Sequence, residues 1–202
     1  MAEDISRMRA DQTEMAITAT SRAFWPDPLF SFFARNPVQE HQMLPTFLGA
    51  LLRDAARAGE VTVVEHDDRV VGSASWLPPG EMPRSRGRDL RITMACASAL
   101  ARGRNRSIGL KLLQEVDAHH PHEPHWYLVL LGVDPKYQGH GFGAALLGPA
   151  LARCDATVMP AYLETQKPEN LSFYARFGFV VREEIRVKNS PTVWTLWRDP
   201  HS

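Results

Sequence analysis

A glycine-rich turn between a strand-like run and a helix-like run constrains this chain more than any other feature. Residues 130–147 read LLGVDPKYQGHGFGAALL, with glycine at positions 139, 141 and 143. Glycine removes the Cβ where the first N–H groups of a helix lack partners, and the helix dipole adds positive potential there. Such a turn can hold a phosphate group. A tight connection with nothing bound is the alternative that the glycines alone leave open.

Two common nucleotide-binding motifs do not fit this turn. A phosphate-binding loop of the NTPase kind requires Gly-Lys-Ser/Thr, which the segment lacks. A dinucleotide fingerprint should follow the first strand and precede an acidic residue by about 20 positions. Neither condition is met.

Composition narrows the choice of partner. The 202 residues are 44% hydrophobic, and 23 Lys and Arg balance 23 Asp and Glu. We predict a single domain, residues 1–202, that binds a small molecule and neither nucleic acid nor a membrane surface. No apolar run approaches the ~20 residues of a membrane span. Cys96 and Cys154 fit no metal or redox spacing and the first residues resemble no signal peptide, so we expect a reduced, cytoplasmic protein.

The hydrophobic periodicity predicts a mixed α/β order. The first half is predicted to contain a strand at 5–9, a helix that begins with a capping box at 11–14 and ends at residue 24, a helix at 37–57 kinked or split by Pro45, and a hairpin of strands 60–66 and 69–77. An insert at 78–124 is predicted to contain two helices. The remainder is predicted to contain a strand at 125–133, a helix at 142–154, a strand at 160–166, a short helix at 169–177 closed by Gly178, and a final strand pair at 179–187 and 192–198.

The turn also carries a family signature. Gln138-Gly139-His140-Gly141-Phe142-Gly143, preceded by Val133-Asp134-Pro135, resembles the Gln/Arg-x-x-Gly-x-Gly/Ala motif of the Gcn5-related N-acetyltransferases. Segments 122–128 (HEPHWYL), 161–165 (AYLET) and 170–179 (NLSFYARFGF) resemble those of puromycin N-acetyltransferase and its relatives. The resemblance covers residues 120–198, and the N-terminal half matches only in its order of elements.

This resemblance implies a fold and a cofactor. The fold would be α/β, with a mixed, mostly antiparallel sheet that contains a splayed parallel strand pair and is flanked by helices; residues 125–198 would form the cofactor-binding and catalytic half. The cofactor would be acetyl-CoA, released as coenzyme A, with its pyrophosphate on the turn and its pantetheine arm along the strand ending at Val133. The implied cofactor-binding residues are Leu131, Gly132, Val133, Gln138, Gly139, His140, Gly141, Phe142, Gly143, Ala144, Asn170 and Tyr174.

Acetyl transfer to an amine requires a base, a donor to the thioester carbonyl and a proton for the thiolate. The resemblance assigns these roles to Glu164, acting directly or through water, to the backbone N–H of Val133, and to the Tyr174 phenol. Each side chain has a structural alternative: Glu164 as a surface carboxylate or helix cap, and Tyr174 as an aromatic of the core. Asn170 either contacts the cofactor or caps its helix.

The implied reaction is direct transfer, in a ternary complex, to a primary amine of a small molecule. An aminonucleoside antibiotic of the puromycin kind is one candidate acceptor, which would make antibiotic resistance the role. A noncatalytic acyl-CoA-binding or regulatory domain and a protein-amine acetyltransferase are the alternatives. We expect a monomer or homodimer.

Aromatic residues gather between the first two predicted helices. They either pack in the core or form the wall of an apolar acceptor pocket. With Glu164, the candidate substrate-binding residues are Phe24, Trp25, Phe30 and Phe33.

Two further groups of residues carry less weight. The histidines at 119, 120, 122 and 125 miss the His-Glu-x-x-His spacing, so we expect no metal. The arginines at 84, 86, 88, 91, 102, 104 and 106 indicate a solvated helix face, with RNA or the 3′-phosphate of CoA as the alternative contact. Met94 and the alanines around it are expected in the core.

Overall fold

The computed structural model describes residues 4–100 and 103–201. Its strands are β1 Asp4–Arg7, β2 Glu60–His66, β3 Arg69–Leu77, β4 Trp126–Val133, β5 Ala161–Thr165, β6 Val180–Ile185 and β7 Val193–Arg198. Its α-helices are α1 Thr13–Ala23, α2 Pro28–Phe33, α3 Pro37–Ala58, α4 Arg86–Leu100, α5 Arg106–Ala118, α6 Phe142–Ala156 and α7 Glu169–Ala175. Within the described ranges, no helix has the length and apolar character needed to cross a bilayer.

The strands form one sheet in the order β1-β2-β3-β4-β5-β7-β6. The pairing of β4 with β5 is parallel, whereas the other pairings are antiparallel. The predicted mixed α/β fold is therefore confirmed.

The strands β4 and β5 separate partway along their length. The last of their register pairs joins Leu128 to Leu163, whereas β4 continues to Val133. On its other side, β4 carries a bulge, because the register with β3 skips Val129. A bulge bends its strand and increases the local twist. The predicted splayed pair is confirmed, and the bulge supplies a physical cause for it.

The sheet separates two cores. On the face that we call the α6 face, the fully buried Leu146 and Leu147 of α6 pack over the strands. On the opposite α3 face, α3 buries Leu44, Leu48 and Leu52, which recur every four residues as an amphipathic helix requires. Side chains on the two faces of β4 and β5 thus meet different helices.

Three local features differ from the simplest sequence-based expectation. The capping box at 11–14 does not form, because Gln12 instead accepts from the Arg9 N–H at 2.9 Å and donates to Glu65 at 2.7 Å. Pro45 does not split α3, which runs unbroken past it. The helix α2 was not predicted; Asp27 begins it by accepting from the Leu29 N–H at 2.9 Å.

The two helices predicted for the insert at 78–124 are confirmed as α4 and α5. The insert is held by Asp54 of α3, whose carboxylate accepts from Arg88 at 2.8 and 2.9 Å and from Arg84 at 3.2 Å. Burial alone would raise the pKa of Asp54, but the hydrogen bonds and charges of the two arginines outweigh it and lower the pKa. The insert is therefore fixed to α3 by a largely buried ion-pair network.

This anchor also sets which side of α4 faces inward. Arg88 and, at helical spacing, Ile92 and Ala95 are half-buried, whereas Leu90 and Met94 are about 60% exposed. The expectation that Met94 lies in the core is wrong, because the ion pair with Asp54 directs the Arg88 side of α4 inward and leaves the Met94 side in solvent. The side chain of Cys96 lies outside the described part, while Cys154 is buried and unpaired.

Replacing Asp54 by alanine should destabilise the fold. Asp54→Ala leaves two largely buried guanidinium groups without their carboxylate, and we expect the free energy of unfolding to fall by about 3 kcal/mol. Because the folded pKa of Asp54 is depressed, its contribution is present above the ordinary pKa of 3.8 and is lost as the pH falls below it. Urea unfolding at pH 7 and at pH 3 measures both effects.

The control for this experiment is Asp89→Ala, which removes an exposed carboxylate from α4. We expect it to change stability by less than about 0.5 kcal/mol. Equal losses in the two variants would contradict the anchoring role of Asp54.

Candidate active site

The glycine turn leaves the N-terminus of α6 open. Gly139 and Gly141 have φ values of +82° and +88°, and no side chain caps the helix at Gly141. A Cβ at either position would meet nothing within 4 Å, so the backbone conformation, rather than crowding, requires glycine here. The first turn of α6 contains no acidic residue. Its free N–H groups and the helix dipole fit a pyrophosphate, as acetyl-CoA would present.

The edge of β4 beyond the bulge is open toward β5. Asp134 donates its N–H to the Val71 carbonyl of β3 at 2.8 Å. Because backbone direction alternates along a strand, the N–H groups of Val133 and Leu131 point the other way, into the gap. Gln138 closes one end of this edge by donating to the Val133 carbonyl at 2.9 Å. An unpaired strand edge of this kind fits an extended arm that carries amides, such as pantetheine.

Glu164 lies at the closed end of the gap, on the α3 face. One carboxylate oxygen accepts from the Tyr127 hydroxyl at 2.8 Å and the other from the Tyr162 hydroxyl at 3.0 Å. Its side chain is only 14% exposed. Glu164 is therefore neither a surface carboxylate nor a helix cap.

The two phenols remain donors across the physiological pH range. Burial raises the pKa of both Tyr127 and Tyr162, and the negative charge of Glu164 raises them further. Both hydroxyls thus keep their protons and direct them at the carboxylate.

Two of the discounted histidines also reach this carboxylate. His120 Nδ1 lies 3.5 Å from Glu164 Oε1, and His120 Nε2 lies 3.2 Å from His125 Nε2. His125 Nδ1 in turn lies 2.6 Å from the backbone oxygen of Glu123. Among the described residues, no group of three or more His, Cys, Asp or Glu side chains is arranged to hold a metal.

Sequence reasoning missed Tyr127, Tyr162, His120 and His125. Tyr162 could have been found, because residues two apart on a strand share a face and Glu164 was already a candidate. Tyr127 pairs with Tyr162 across the parallel strands, which required the register. The position of His120 depends on the connection from α5 to β4, for which the sequence offers no pattern.

Tyr174 lies on the α6 face, opposite to Glu164. It is 7% exposed and belongs to the buried cluster that includes Leu128, Val133 and Leu163, residues that border the gap. Burial raises its pKa, so the phenol is protonated at neutral pH. In the part of the chain that the structure describes, its hydroxyl makes no hydrogen bond, which leaves it available to a ligand in the gap.

Asn170 does not cap α7. The helix begins at Glu169, and the Asn170 amide donates to the Thr165 hydroxyl at 3.0 Å. The side chain thus connects α7 to the end of β5 and holds the helix against the gap.

The structure does not bring Val133 and Glu164 together. Val133 lies five residues beyond the last β4–β5 pair, which is roughly 16 Å of extended strand, while Glu164 immediately follows that pair. Leu131 points its N–H into the same gap and is two residues nearer. Val133 lies beside the glycine turn instead.

The aromatic candidates fall into different places. Phe24 and Phe30 contact edge to face at 6.4 Å, and Phe30 is buried in the same α3-face cluster as Tyr127. Phe33 packs in a separate cluster with Ala34 and Met43. Trp25 is 44% exposed.

A cavity of about 120 Å³ adjoins the site. It lies between the segments 78–82 and 121–125 and is bordered by Tyr127. Loops from the insert and from the start of β4 therefore shape the approach to the α3 face.

Comparisons with known proteins identify the family. The model of the Acetyltransferase (GNAT) family matches residues 22–179. The chain belongs to this family of acetyltransferases.

Similarity to individual proteins is more limited. An uncharacterised N-acetyltransferase of Schizosaccharomyces pombe is 39% identical over 74 residues, which is 37% of this chain and 28% of that protein. The chain thus matches under a third of that relative's length.

Solved structures share the fold along the whole chain. A Corynebacterium glutamicum protein described as histone acetyltransferase HPA2 and related acetyltransferase has a TM-score of 0.72 at 24% identity, with 100% of this chain and 98% of that one covered. Arylalkylamine N-acetyltransferase 2 of Aedes aegypti has a TM-score of 0.63 at 12% identity, with both chains fully covered.

Substitution of Gly141 should weaken coenzyme A binding. Alanine at φ +88° costs about 1–2 kcal/mol, and relief of that strain would rotate the first N–H groups of α6 away from the pyrophosphate. We expect Gly141→Ala to raise the dissociation constant of coenzyme A about tenfold, measured by calorimetry.

Gly148→Ala is the matched control, because Gly148 lies within α6 and its added Cβ would meet open space. This variant should bind coenzyme A as the wild type does. Unchanged affinity in Gly141→Ala would show that the turn does not hold the pyrophosphate.

Proposed function

We propose that the protein is an acetyl-CoA-dependent N-acetyltransferase that acetylates a primary amine of a small molecule by direct transfer in a ternary complex. The observation that carries the proposal is the position of Glu164 at the closed end of an open strand edge, held by two phenols. A domain that only binds acyl-CoA needs the edge and the glycine turn. Such a domain does not need a largely buried carboxylate on the α3 face at the closed end of that edge.

The residues suited to hold acetyl-CoA come from three places. They are the edge of β4 at 131–133, the turn and first helical residues at 138–144, and α7 with Tyr174. Bound acetyl-CoA would supply an activated acetyl group as a thioester.

Glu164 is the proposed base. A primary amine with a pKa of about 8–10 arrives largely as an ammonium ion, which a carboxylate attracts and can deprotonate, directly or through one water. Tyr127 and Tyr162 fix the carboxylate by donating to both of its oxygens. They hold it aimed at the α3 face, where the acceptor would enter.

The backbone of β4 is the proposed donor to the acetyl carbonyl. Preorganised N–H groups stabilise the negative charge that develops on a carbonyl oxygen. The N–H of Leu131 is better placed for this role than that of Val133, because it is nearer to Glu164.

Tyr174 is the proposed donor to the leaving sulfur, from the α6 face. Because burial holds its pKa above the ordinary value, the phenol is fully protonated at neutral pH. Complete proton transfer to a thiolate whose acid has a pKa of about 8.5 runs uphill. Tyr174 therefore acts chiefly through a hydrogen bond that lowers the energy of the thiolate.

Several features favour a small acceptor. The phenols of Tyr127 and Tyr162 hold Glu164 on the α3 face, and the buried cluster of that face also contains Phe30 and residues of α1 and α3, with Met82 of the insert packed against it. A protein amine would require an open, charged groove. The resemblance of segments 161–165 and 170–179 to puromycin N-acetyltransferase makes an aminonucleoside such as puromycin the first amine to test, with antibiotic resistance as the role that this acceptor would imply.

Removal of the proposed base or sulfur donor should slow turnover far more than it weakens coenzyme A binding. With wild type and an accepted amine, we expect Glu164→Gln and Tyr174→Phe each to lower kcat by about 10²-fold or more. The assay follows thiol release from acetyl-CoA with a panel of amines that includes puromycin. The dissociation constant of coenzyme A should be unchanged in Glu164→Gln and should rise by no more than about tenfold in Tyr174→Phe, which loses one hydrogen bond to the sulfur.

Glu169→Gln, which alters an exposed acid at the start of α7, is the control and should turn over as wild type does. If the wild type binds acetyl-CoA but acetylates no amine in the panel, the enzymatic proposal is wrong and a noncatalytic acyl-CoA-binding role is favoured. If the wild type is active and both variants keep full activity, the roles proposed for Glu164 and Tyr174 are wrong.

A further inference from the structure

Two histidines, His120 and His125, connect the Glu164 carboxylate to the backbone. The catalytic roles proposed for Glu164, Leu131 and Tyr174 use neither of them. Their three contacts form a chain from the carboxylate to the backbone: Glu164 to His120 at 3.5 Å, His120 to His125 at 3.2 Å, and His125 to the Glu123 carbonyl at 2.6 Å. A role for this pair rests on the proposed acetyltransferase function and adds a residue to it.

The backbone carbonyl fixes where the protons in this chain lie. A carbonyl oxygen only accepts, so His125 Nδ1 carries a hydrogen. His125 is buried, and burial lowers its pKa, so its ring is neutral and its Nε2 atom carries a lone pair and no hydrogen. His120 Nε2 must then donate to it. In a neutral His120 ring, the atom that faces Glu164 is consequently an unprotonated Nδ1.

The other groups around Glu164 cannot take a proton from it. Tyr127 and Tyr162 already direct their hydroxyl hydrogens at the carboxylate. Their rings also hold His120, whose centroid lies 4.9 Å from each in edge-to-face contact. The His120 side chain is 10% exposed, so it keeps some access to solvent.

We propose that Glu164 and His120 act as a proton-accepting dyad, in which His125 is a positioning residue that keeps His120 Nδ1 free. An N–H bond of the acceptor ammonium breaks as an O–H bond forms on Glu164. That O–H bond then breaks as an N–H bond forms at His120 Nδ1, which makes His120 an imidazolium and restores the carboxylate. After product release, His120 gives the proton to water.

The dyad reduces a mismatch that a lone carboxylate would face. The pKa of an ordinary carboxylic acid, about 4.3, is about four to six units below the pKa of a primary amine. The pKa of an ordinary imidazole, about 6.5, is about two units closer to that of the amine. The groups that face His120 are Glu164 and Tyr162 of β5, Tyr127 of β4, and His125, which directly precedes β4. Arg84 and Asp117 act on Tyr127, and Glu123 acts on His125.

The proton positions can be tested without turnover. Long-range proton–nitrogen NMR of ¹⁵N-histidine-labelled protein at pH 8, with His120→Asn and His125→Asn used for assignment, reports the tautomer of each ring. We expect Nε2–H at His120 and Nδ1–H at His125. A hydrogen on His120 Nδ1 in the neutral ring would overturn the dyad.

Kinetics test the role in the reaction. We expect His120→Asn to lower kcat by about 10²-fold with an unchanged KM for the amine, and to give a pH profile of kcat/KM that differs from that of the wild type. Added imidazole should restore part of the activity of His120→Ala. The exposed neighbour provides the control, His119→Asn, which should keep the wild-type rate and pH profile.

The failures of the two proposals are distinguishable. If wild type and His119→Asn acetylate an amine and His120→Asn keeps their rate and pH profile, the dyad is wrong and the acetyltransferase function stands. If neither wild type nor His119→Asn acetylates any amine, the function itself is wrong and the dyad falls with it.

Discussion

The site depends on a strand edge that the sheet leaves unpaired in its middle. Inside a sheet, unpaired N–H and C=O groups cost free energy unless water or a ligand satisfies them. The bulge at Val129 and the end of the β4–β5 ladder at Leu128 create such an edge between two otherwise paired strands. The glycine turn lies at the open end of this edge and Glu164 of β5 lies at its closed end. The candidate pyrophosphate site and the candidate base are therefore at opposite ends of one strand edge.

The sheet also separates two kinds of chemistry. The carboxylate, its phenols and its histidines lie on the α3 face, whereas Tyr174 lies on the α6 face. The helix α1 packs closely over β4 on the first of these faces, where a Cβ on Gly132 would lie 3.0 Å from that of Ala23. Helices of the N-terminal half thus cover the α3 face, and α6 and α7 of the C-terminal half cover the α6 face. The residues proposed for proton removal and for sulfur stabilisation therefore lie on opposite faces of the sheet.

Much of this arrangement could be predicted from the sequence, because it rests on local patterns. The order of strands and helices follows from periodicity, and the glycine turn predicted the open N-terminus of α6. Residues that depend on register or on loop paths could not be found in this way. Tyr127 reaches Glu164 because two strands pair in one register, and His120 because of the path between α5 and β4. Met94 was misplaced because the ion pairs of Asp54, which are remote in sequence, set the rotation of α4.

Residue-level amide hydrogen exchange, measured with and without coenzyme A, tests the central claim most directly. The N–H groups of Gly132 and Asp134 are directed at β3, whereas those of Leu131 and Val133 point into the gap. If the pantetheine arm pairs with this edge, coenzyme A will slow exchange at Leu131 and Val133 and leave Gly132 and Asp134 nearly unchanged. Uniform exchange at all four amides, with and without coenzyme A, would contradict the account.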